Sequence, residues 1–410
     1  MATHELHITA MAHGGSGIGR LDGRVVFTPG VIPGEVVDVE IVEDSKKSLW
    51  RAQPLKILTP SPHRRDHIWP EADISRPWAQ RAGGADYGHI ELSHQRTLKT
   101  DIVRDALQRF GGISGDLVES LEVRGAPGDD EKNGLAWRTR VSLHADQDGR
   151  LGPYAEKSHT VIPVKSLPLA TENIQQCGVL ESTYQGAQSV RVVDALSGVR
   201  LIIDKQKPQE LSEFVAGTEF HLSDQTFWQV HHQAPQILHD TLQRAIQRDL
   251  LDPSARNADL YCGVGLLGAA LAELSPSTLR LTAVESDDAA LPYLRQNLEE
   301  KTHLEAISDR VDRWLRREVS GLSATSAEEW SRATVILDPP RSGAKSEVIS
   351  SLEKLKPAQI VYVACDPVAL GRDAGLLDTA GYDMVFVEAW DLFPHTHHME
   401  TIATFVRKEK

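Results

Sequence analysis

Cysteine is scarce. Three residues in 410, at positions 177, 262 and 365, cannot form a disulfide framework, and no CxxC pair is present. That scarcity excludes a zinc ribbon or an ordinary iron–sulfur ligand set and fits a reducing, cytoplasmic setting. Excess positive charge is also missing: 44 Lys and Arg face 58 Asp and Glu, for a net charge of −14. Coating nucleic acid without selectivity needs a broad basic surface, so that class is excluded, whereas a local basic groove is not. No stretch approaches the ~18–20 apolar residues of a membrane span. The opening MATHELHITAMAHGG has no basic start followed by an apolar segment, so no secretory signal is expected. Internal repeats and low-complexity tracts are absent.

What is present is ordinary globular material, 40% hydrophobic and 25% charged. A chain of 410 residues exceeds one ordinary core, which predicts two or three domains. Residues 1–60 show short β-branched runs (VVF, EVVDVEIV) between Gly and Pro turn signals. They predict a small β-barrel of the oligonucleotide-binding kind, although periodicity alone fits any small barrel. Residues 61–118 form a connector, irregular through TPSPHRRDHIWPEADISRPWAQRAGGADYG (59–88), with a helix over 91–112 stopped at Gly111. Residues 119–222 hold strand-like pieces (WRTRVSLHAD, TVIPV, SVRVVDA, VRLIID), and alternation places Arg138 and Arg140 on one strand face. From 223 to 410 apolar strands alternate with amphipathic helices, which predicts an α/β, Rossmann-like doubly wound sheet.

Four motifs lie in that last region. DLYCGVGLLG (259–268) sets Gly263, Gly265 and Gly268 between a strand and a helix, where glycines let the backbone turn tightly against a ligand. Glu285 ends the next apolar strand, about 20 residues on, where a carboxylate holds ribose hydroxyls. The pattern does not separate a dinucleotide from S-adenosylmethionine, since both carry an adenosine ribose. LDPPRSG (337–343) puts Asp338 at the carboxyl edge of the sheet, on a loop stiffened by two prolines. On its own this is equally a turn cap. VYVACDPVAL (361–370) places Cys365 at a strand end before a helix. A helix N-terminus favours the thiolate and the neighbouring Asp366 disfavours it, so packed thiol and nucleophile stay equally open. WDLFPHTHHMET (390–401) carries three histidines without regular metal-ligand spacing, and Glu400, which begins the last strand and suits a proton acceptor. Cys262, between turn residues, reads as packing, and Cys177 as inert.

In that order, DLYCGVG, LDPPRSG, YVACDP and DLFPHTHHMET resemble the uracil-5 RNA methyltransferases, which make 5-methyluridine in tRNA or rRNA. HITAMAHGGSGIGRLDGRVVFTPGVIPGEVV resembles the RNA-binding TRAM domain, and FWQVHHQAPQIL (227–238) resembles the segment that opens the family's catalytic domain. The likeness covers most of the chain. It implies S-adenosylmethionine as cofactor, RNA as partner, Cys365 as nucleophile and Glu400 as base. Gln229, Tyr261, Gly263, Gly265, Glu285 and Asp338 then fall at cofactor positions, with Asp338 and Arg341 also near the uracil. Arg138, Arg140, Arg64 and Arg65 are candidates for RNA phosphate contact. Many members hold an iron–sulfur cluster. Its cysteine positions fall near Trp69, Ala82, Ala85 and Leu167, all without thiols, so no cluster and no metal are expected, and apolar packing by Trp69 and Trp78 takes its place. The family's usual residues also differ at Leu266, His231 and Asp366. A soluble cytoplasmic monomer is the expectation. Three other readings remain open: a methyltransferase acting on another RNA atom, a catalytically silent RNA-binding protein, and a nicotinamide dehydrogenase.

Overall fold

The computed structural model describes residues 3–43, 49–155, 158–275 and 279–408, without the side chain of Trp78, so the packing expected of Trp78 lies outside the described residues. Five strands, β1 (Thr3–Met11), β2 (Ser16–Leu21), β3 (Arg24–Pro29), β4 (Val36–Glu43) and β5 (Leu49–Thr59), close a barrel in the order β1-β2-β3-β5-β4. Alternate residues point inward, so Leu6, Ile8, Val26, Val37, Val39 and Ala52 fill it. Arg64 ties the barrel to the connector by donating to the buried Glu35 carboxylate at 2.6 Å.

The four positions named for the missing thiols, three in the connector and Leu167 in the central region, do meet. Trp69, Ala82, Ala85 and Leu167 are buried in one apolar cluster with Trp137, Leu143, Val190 and Val192. Cys177 packs at its border. Among the described residues no group of three His, Cys, Asp or Glu side chains is placed to hold a metal ion.

Helix α1 (Leu92–Arg109) is followed by α2 (Asp116–Glu119) and the short strand β6 (Val123–Gly125). The α1 face that buries Leu98, Ile102, Val103, Ala106 and Leu107 has the spacing of an amphipathic helix. The central region contains β7 (Arg140–Ala145), β8 (Leu151–Gly152), α3 (Glu172–Gln176), β9 (Ser189–Ala195) and β10 (Gly198–Ile203). Its antiparallel sheet has the order β10-β9-β7-β8, beside a hairpin of β11 (Glu210–Val215) and β12 (Thr218–Ser223). The shared strand face expected of Arg138 and Arg140 is not formed. Arg140 opens β7, whereas Arg138 lies before it, bridged to Ala170 and His231, and its Nε donates to Arg140 O.

The remainder runs α4 (Ala234–Ala245), β13 (Asn257–Leu260), α5 (Leu266–Glu273), β14 (Arg280–Glu285), α6 (Leu291–Leu298), β15 (His303–Ser308), α7 (Val311–Ser320), α8 (Ala324–Ser331), β16 (Thr334–Leu337), α9 (Lys345–Leu355), β17 (Gln359–Ala364), α10 (Pro367–Thr379), β18 (Tyr382–Asp391) and β19 (Glu400–Arg407). Eight strands form one sheet, β15-β14-β13-β16-β17-β19-β18-β6. The strands from β15 to β17 are parallel, β19 is antiparallel to both neighbours, and β6 joins the far edge from outside the run of strand–helix units. The central strands β13, β16 and β17 are buried on both faces, which explains their continuous apolar runs. α1 packs on α10 at glycines: a Cβ on Gly371 would stand 2.3 Å from Ala106 O. No helix among the described residues is long and apolar enough to cross a membrane.

Candidate active site

The site lies at the carboxyl ends of β13, β14, β16 and β17, where doubly wound sheets hold ligands. Leaving β13, Tyr261 adopts a left-handed backbone (φ +67°), and Gly265 (φ +94°) turns the chain into α5. A Cβ on Gly265 would meet Leu294 and Leu298 at 2.9 Å, so close helix packing requires the glycine. The Glu285 carboxylate accepts from the N–H groups of Gly263 (3.0 Å), Ser286 (2.6 Å) and Asp287 (2.8 Å), which fixes it against the glycine turn. Tyr261 lines two lobes of a cleft. One, of about 200 Å³, is bordered by Ser286, Asp309, Val311 and Gly343. The other, narrower, is bordered by Phe227, Gln229, Gly263, Leu266 and Asp338. Gln229, Tyr261, Gly263 and Asp338 are thus brought together at one cleft.

Strand register brings Cys365 and Glu400 together. Ala364 pairs with Thr401 in the last rung of the β17–β19 ladder, and the same register carried one residue further brings Cys365 alongside Glu400, whose charge reaches the thiol. Cys365 is half-buried and Glu400 buried. Asp338 follows β16 beside them and keeps one face open to the cleft.

The site is rich in acid. Burial, reinforced by the Asp338 charge, pushes the Glu400 carboxyl well above the usual range. Burial and then Glu285 push Asp338 up to about 7. Asp259, buried beneath Gly268, also reaches about 7 through burial and the Asp338 charge. The Cys365 thiol is pushed up to about 12 by burial and then by Glu400 and Asp338, with Asp366 adding and Arg341 opposing. A second cation next to these groups would ionise several of them at once. Cys262, buried at the turn, is pushed well up by burial and stays a packed thiol.

The loop before Glu400 is anchored by residues that carry no local motif. His395 is buried with a left-handed backbone (φ +65°). Its N–H donates to Gln95 Oε1 at 2.8 Å, and its ring bonds Gln95 and Asn133 O. His397 donates to Asp86 through its N–H (3.1 Å), and its Nδ1 lies 2.8 Å from the same carboxylate oxygen. Arg341 Nη2 donates to His398 Nε2 at 3.3 Å, and burial holds His398 down at about 3, with His397 and Arg341 contributing. The three histidines are therefore each committed to the loop's own structure. Gln95, Asp86 and His13 are the participants that sequence reading missed. The four arginines suggested for RNA disperse. Only Arg138 feels the charge of Arg341; Arg140 donates to Thr226 O near Glu213, Arg64 holds Glu35, and Arg65 bonds Asn133.

Folded-state carboxyls held above their unfolded values near 4 bind protons more tightly when folded, so stability falls as pH rises from about 4 through about 7. Asp338→Asn removes one such group and its repulsion on Glu400. Its unfolding midpoint is expected to drop less between pH 5 and pH 8 than that of the unaltered protein. Thermal unfolding across that range checks this, and parallel pH profiles would contradict it.

Fold and site together define a class I methyltransferase domain attached to a small β-barrel. The tRNA (uracil-5-)-methyltransferase family model matches residues 181–408 and the TRAM domain model matches residues 2–53. A protein from Streptomyces avermitilis described as an uncharacterized RNA methyltransferase is 31% identical, over 98% of this chain and 97% of its own. A similarly described Streptomyces coelicolor protein is 32% identical, over 98% and 92%. Among solved structures, the Pyrococcus abyssi tRNA (uracil-54, C5)-methyltransferase in complex with S-adenosyl-L-homocysteine superposes with a TM-score of 0.68 at 20% identity, covering 98% of this chain and 100% of that one. The chain belongs to the tRNA (uracil-5-)-methyltransferase family and is an S-adenosylmethionine-dependent RNA methyltransferase. The residues fit that cofactor: the glycine turn, the Glu285 carboxylate at the strand end where such folds hold a ribose, and uncompensated buried acid that suits a sulfonium cation.

Proposed function

We propose that this protein methylates C5 of a uridine in tRNA or rRNA through a covalent bond between Cys365 and C6 of the base. The observation that carries this reading is the register bringing Cys365 alongside Glu400, with Asp338 beside them, at the edge of the cofactor cleft. C5 of uracil is too weak a nucleophile to take a methyl group unaided. Addition of the Cys365 thiolate to C6 moves the C5–C6 π electrons toward O4 and gives C5 carbanion character. Asp338, whose charge reaches Cys365, accepts the thiol proton. The bound cofactor supplies an electrophilic methyl on a sulfonium. Once C5 carries it, Glu400 takes the C5 proton, the C5–C6 double bond reforms and the thiolate departs. The net change is one proton released for each methyl transferred. Gln229 and Tyr261 line the cofactor cleft, Gly263 and Gly265 form its turn, and the Arg341 charge favours ionisation of the Cys365 thiol.

The barrel and central domain would grip RNA through restricted contacts, given the acidic chain, and the target uridine would be flipped from its stack to reach Cys365. The domain reading places RNA binding in 1–60 and 119–222, the connector in 61–118 and catalysis in 223–410. The test is nucleoside mass mapping of tRNA and rRNA from a strain lacking the protein. Loss of 5-methyluridine at a single position, restored by the purified enzyme in vitro, is expected. Loss of a methyl from an exocyclic amine or ribose oxygen instead would overturn the reading.

A further inference from the structure

Asp366 places a carboxylate directly after the nucleophile, where its charge opposes ionisation of Cys365. The structure engages both of its oxygens. Oδ1 accepts from Ala369 N–H at 2.8 Å and caps α10. Oδ2 lies 2.8 Å from Nε2 of His13, a residue of the β1–β2 turn in the N-terminal barrel. Burial pushes the Asp366 carboxyl up, but the His13 hydrogen bond, the Ala369 N–H and the His13 charge together bring it below the usual range.

We infer that His13 is a positioning residue for the nucleophile: the barrel's imidazole clamps Asp366, draws its charge away from the sulfur, and holds the cap that aims the N-terminus of α10 at Cys365. This rests on the reading of Cys365 as the nucleophile. Four charged or titratable groups bear on that thiol, namely Glu400, Asp338, Arg341 and Asp366. His13 faces Asp366 on one side and the His397 ring, edge-on at 6.2 Å, on the other; His397 is in turn tied to Asp86. Through His13 and Asp366 the barrel bears on Cys365. An N-cap carboxylate stabilises a helix start, but beside a thiolate its uncompensated charge is a liability. An imidazole partner resolves that conflict, and an uncharged Asn at 366 would remove it altogether.

The pair gives a reciprocal test in the full chain. Alkylation of Cys365 by iodoacetamide is followed by mass spectrometry from pH 6 to 10, alongside methyl transfer to RNA. His13→Ala is expected to slow Cys365 alkylation ~10-fold at a given pH, the size of a one-unit rise in thiol pKa, and to slow methyl transfer in parallel. Adding Asp366→Asn to His13→Ala is expected to restore both, because the capping oxygen stays and the charge goes. A merely structural role for His13 predicts no such rescue, so failure of the double variant to recover overturns the inference, as does an unchanged alkylation profile in His13→Ala. The alkylation readout is independent of the proposed reaction: methyl transfer that survives Cys365→Ala would sink the reaction while leaving the His13 result to be judged on the profile alone.

Discussion

Glu400→Gln is expected to accumulate a covalent protein–RNA adduct while turnover falls by about 10²–10⁴-fold, the usual weight of a general base. Cys365→Ala is expected to abolish both adduct and turnover. The contrast follows from the order of steps. Gln at 400 preserves the shape of the site beside Cys365 and leaves the thiol able to add to C6, but it has no lone pair basic enough to take the C5 proton. The base then stays joined to the sulfur, because expulsion of Cys365 needs the electrons that deprotonation at C5 provides. Gln also removes a negative charge that weighs on the thiol, so adduct formation itself should not slow. A denaturing gel of enzyme mixed with target RNA and cofactor reads the outcome. Methyl transfer undiminished by Cys365→Ala would refute the covalent route, and a Glu400→Gln variant with full turnover would reassign the base.

The second large effect lies beneath the site. Lys99 on α1 and Asp391 at the end of β18 form an ion pair with both side chains fully buried, Nζ to Oδ1 at 2.5 Å, and Lys99 also donates to Phe393 O at 3.3 Å. Burial lowers the Lys99 pKa, with Asp391 opposing that shift. Removing one partner strands a buried charge. Asp391→Ala is therefore expected to destabilise the protein by about 3–5 kcal/mol. Replacing both, Lys99→Met with Asp391→Leu, removes the stranded Lys99 charge and should recover part of that loss; Arg96, whose Nε lies 3.7 Å from Asp391, keeps its ion pair with Asp130. Asp391 opens the loop that runs through His395 to Glu400, so the single variant should also loosen the site before the domain unfolds. Urea denaturation of the single and double variants measures the difference. A single variant within about 1 kcal/mol of the unaltered protein would mean that Lys99 finds another partner or loses its proton at little cost.

Much of the fold is legible from local pattern. Turn signals between β-branched runs marked the barrel, and continuous apolar runs marked β13, β16 and β17, because strands buried on both faces have no polar alternation, whereas β14 is half-buried at alternate positions and was marked by its place before a helix. β15 was not legible. Its segment HLEAIS is an edge strand with exposed and half-exposed residues alternating, and charges interrupt the apolar signal. β6 was missed for another reason: three residues joining a sheet whose other strands lie far along the chain leave no periodicity to read. Helix α4 stops at Ala245, five residues short of the apolar pattern, because a 3-10 turn (Arg248–Leu250) intervenes before the chain re-enters the sheet.

The sequence by itself determined the residue chemistry of this protein: a glycine turn after a strand, carboxylates at successive strand ends, one thiol before Asp-Pro, and no thiols at the four positions where related proteins hold a cluster. These are signals of adjacent residues, governed by backbone sterics and side-chain type, and they survive without tertiary context. Only the tertiary structure decided that Cys365 lies alongside Glu400, that Trp69, Ala82, Ala85 and Leu167 close into one apolar core, and that His13 reaches Asp366 across more than three hundred residues. Such contacts depend on sheet register and domain docking. No local propensity encodes them, because the free energy that selects them belongs to surfaces that exist only once the chain has folded.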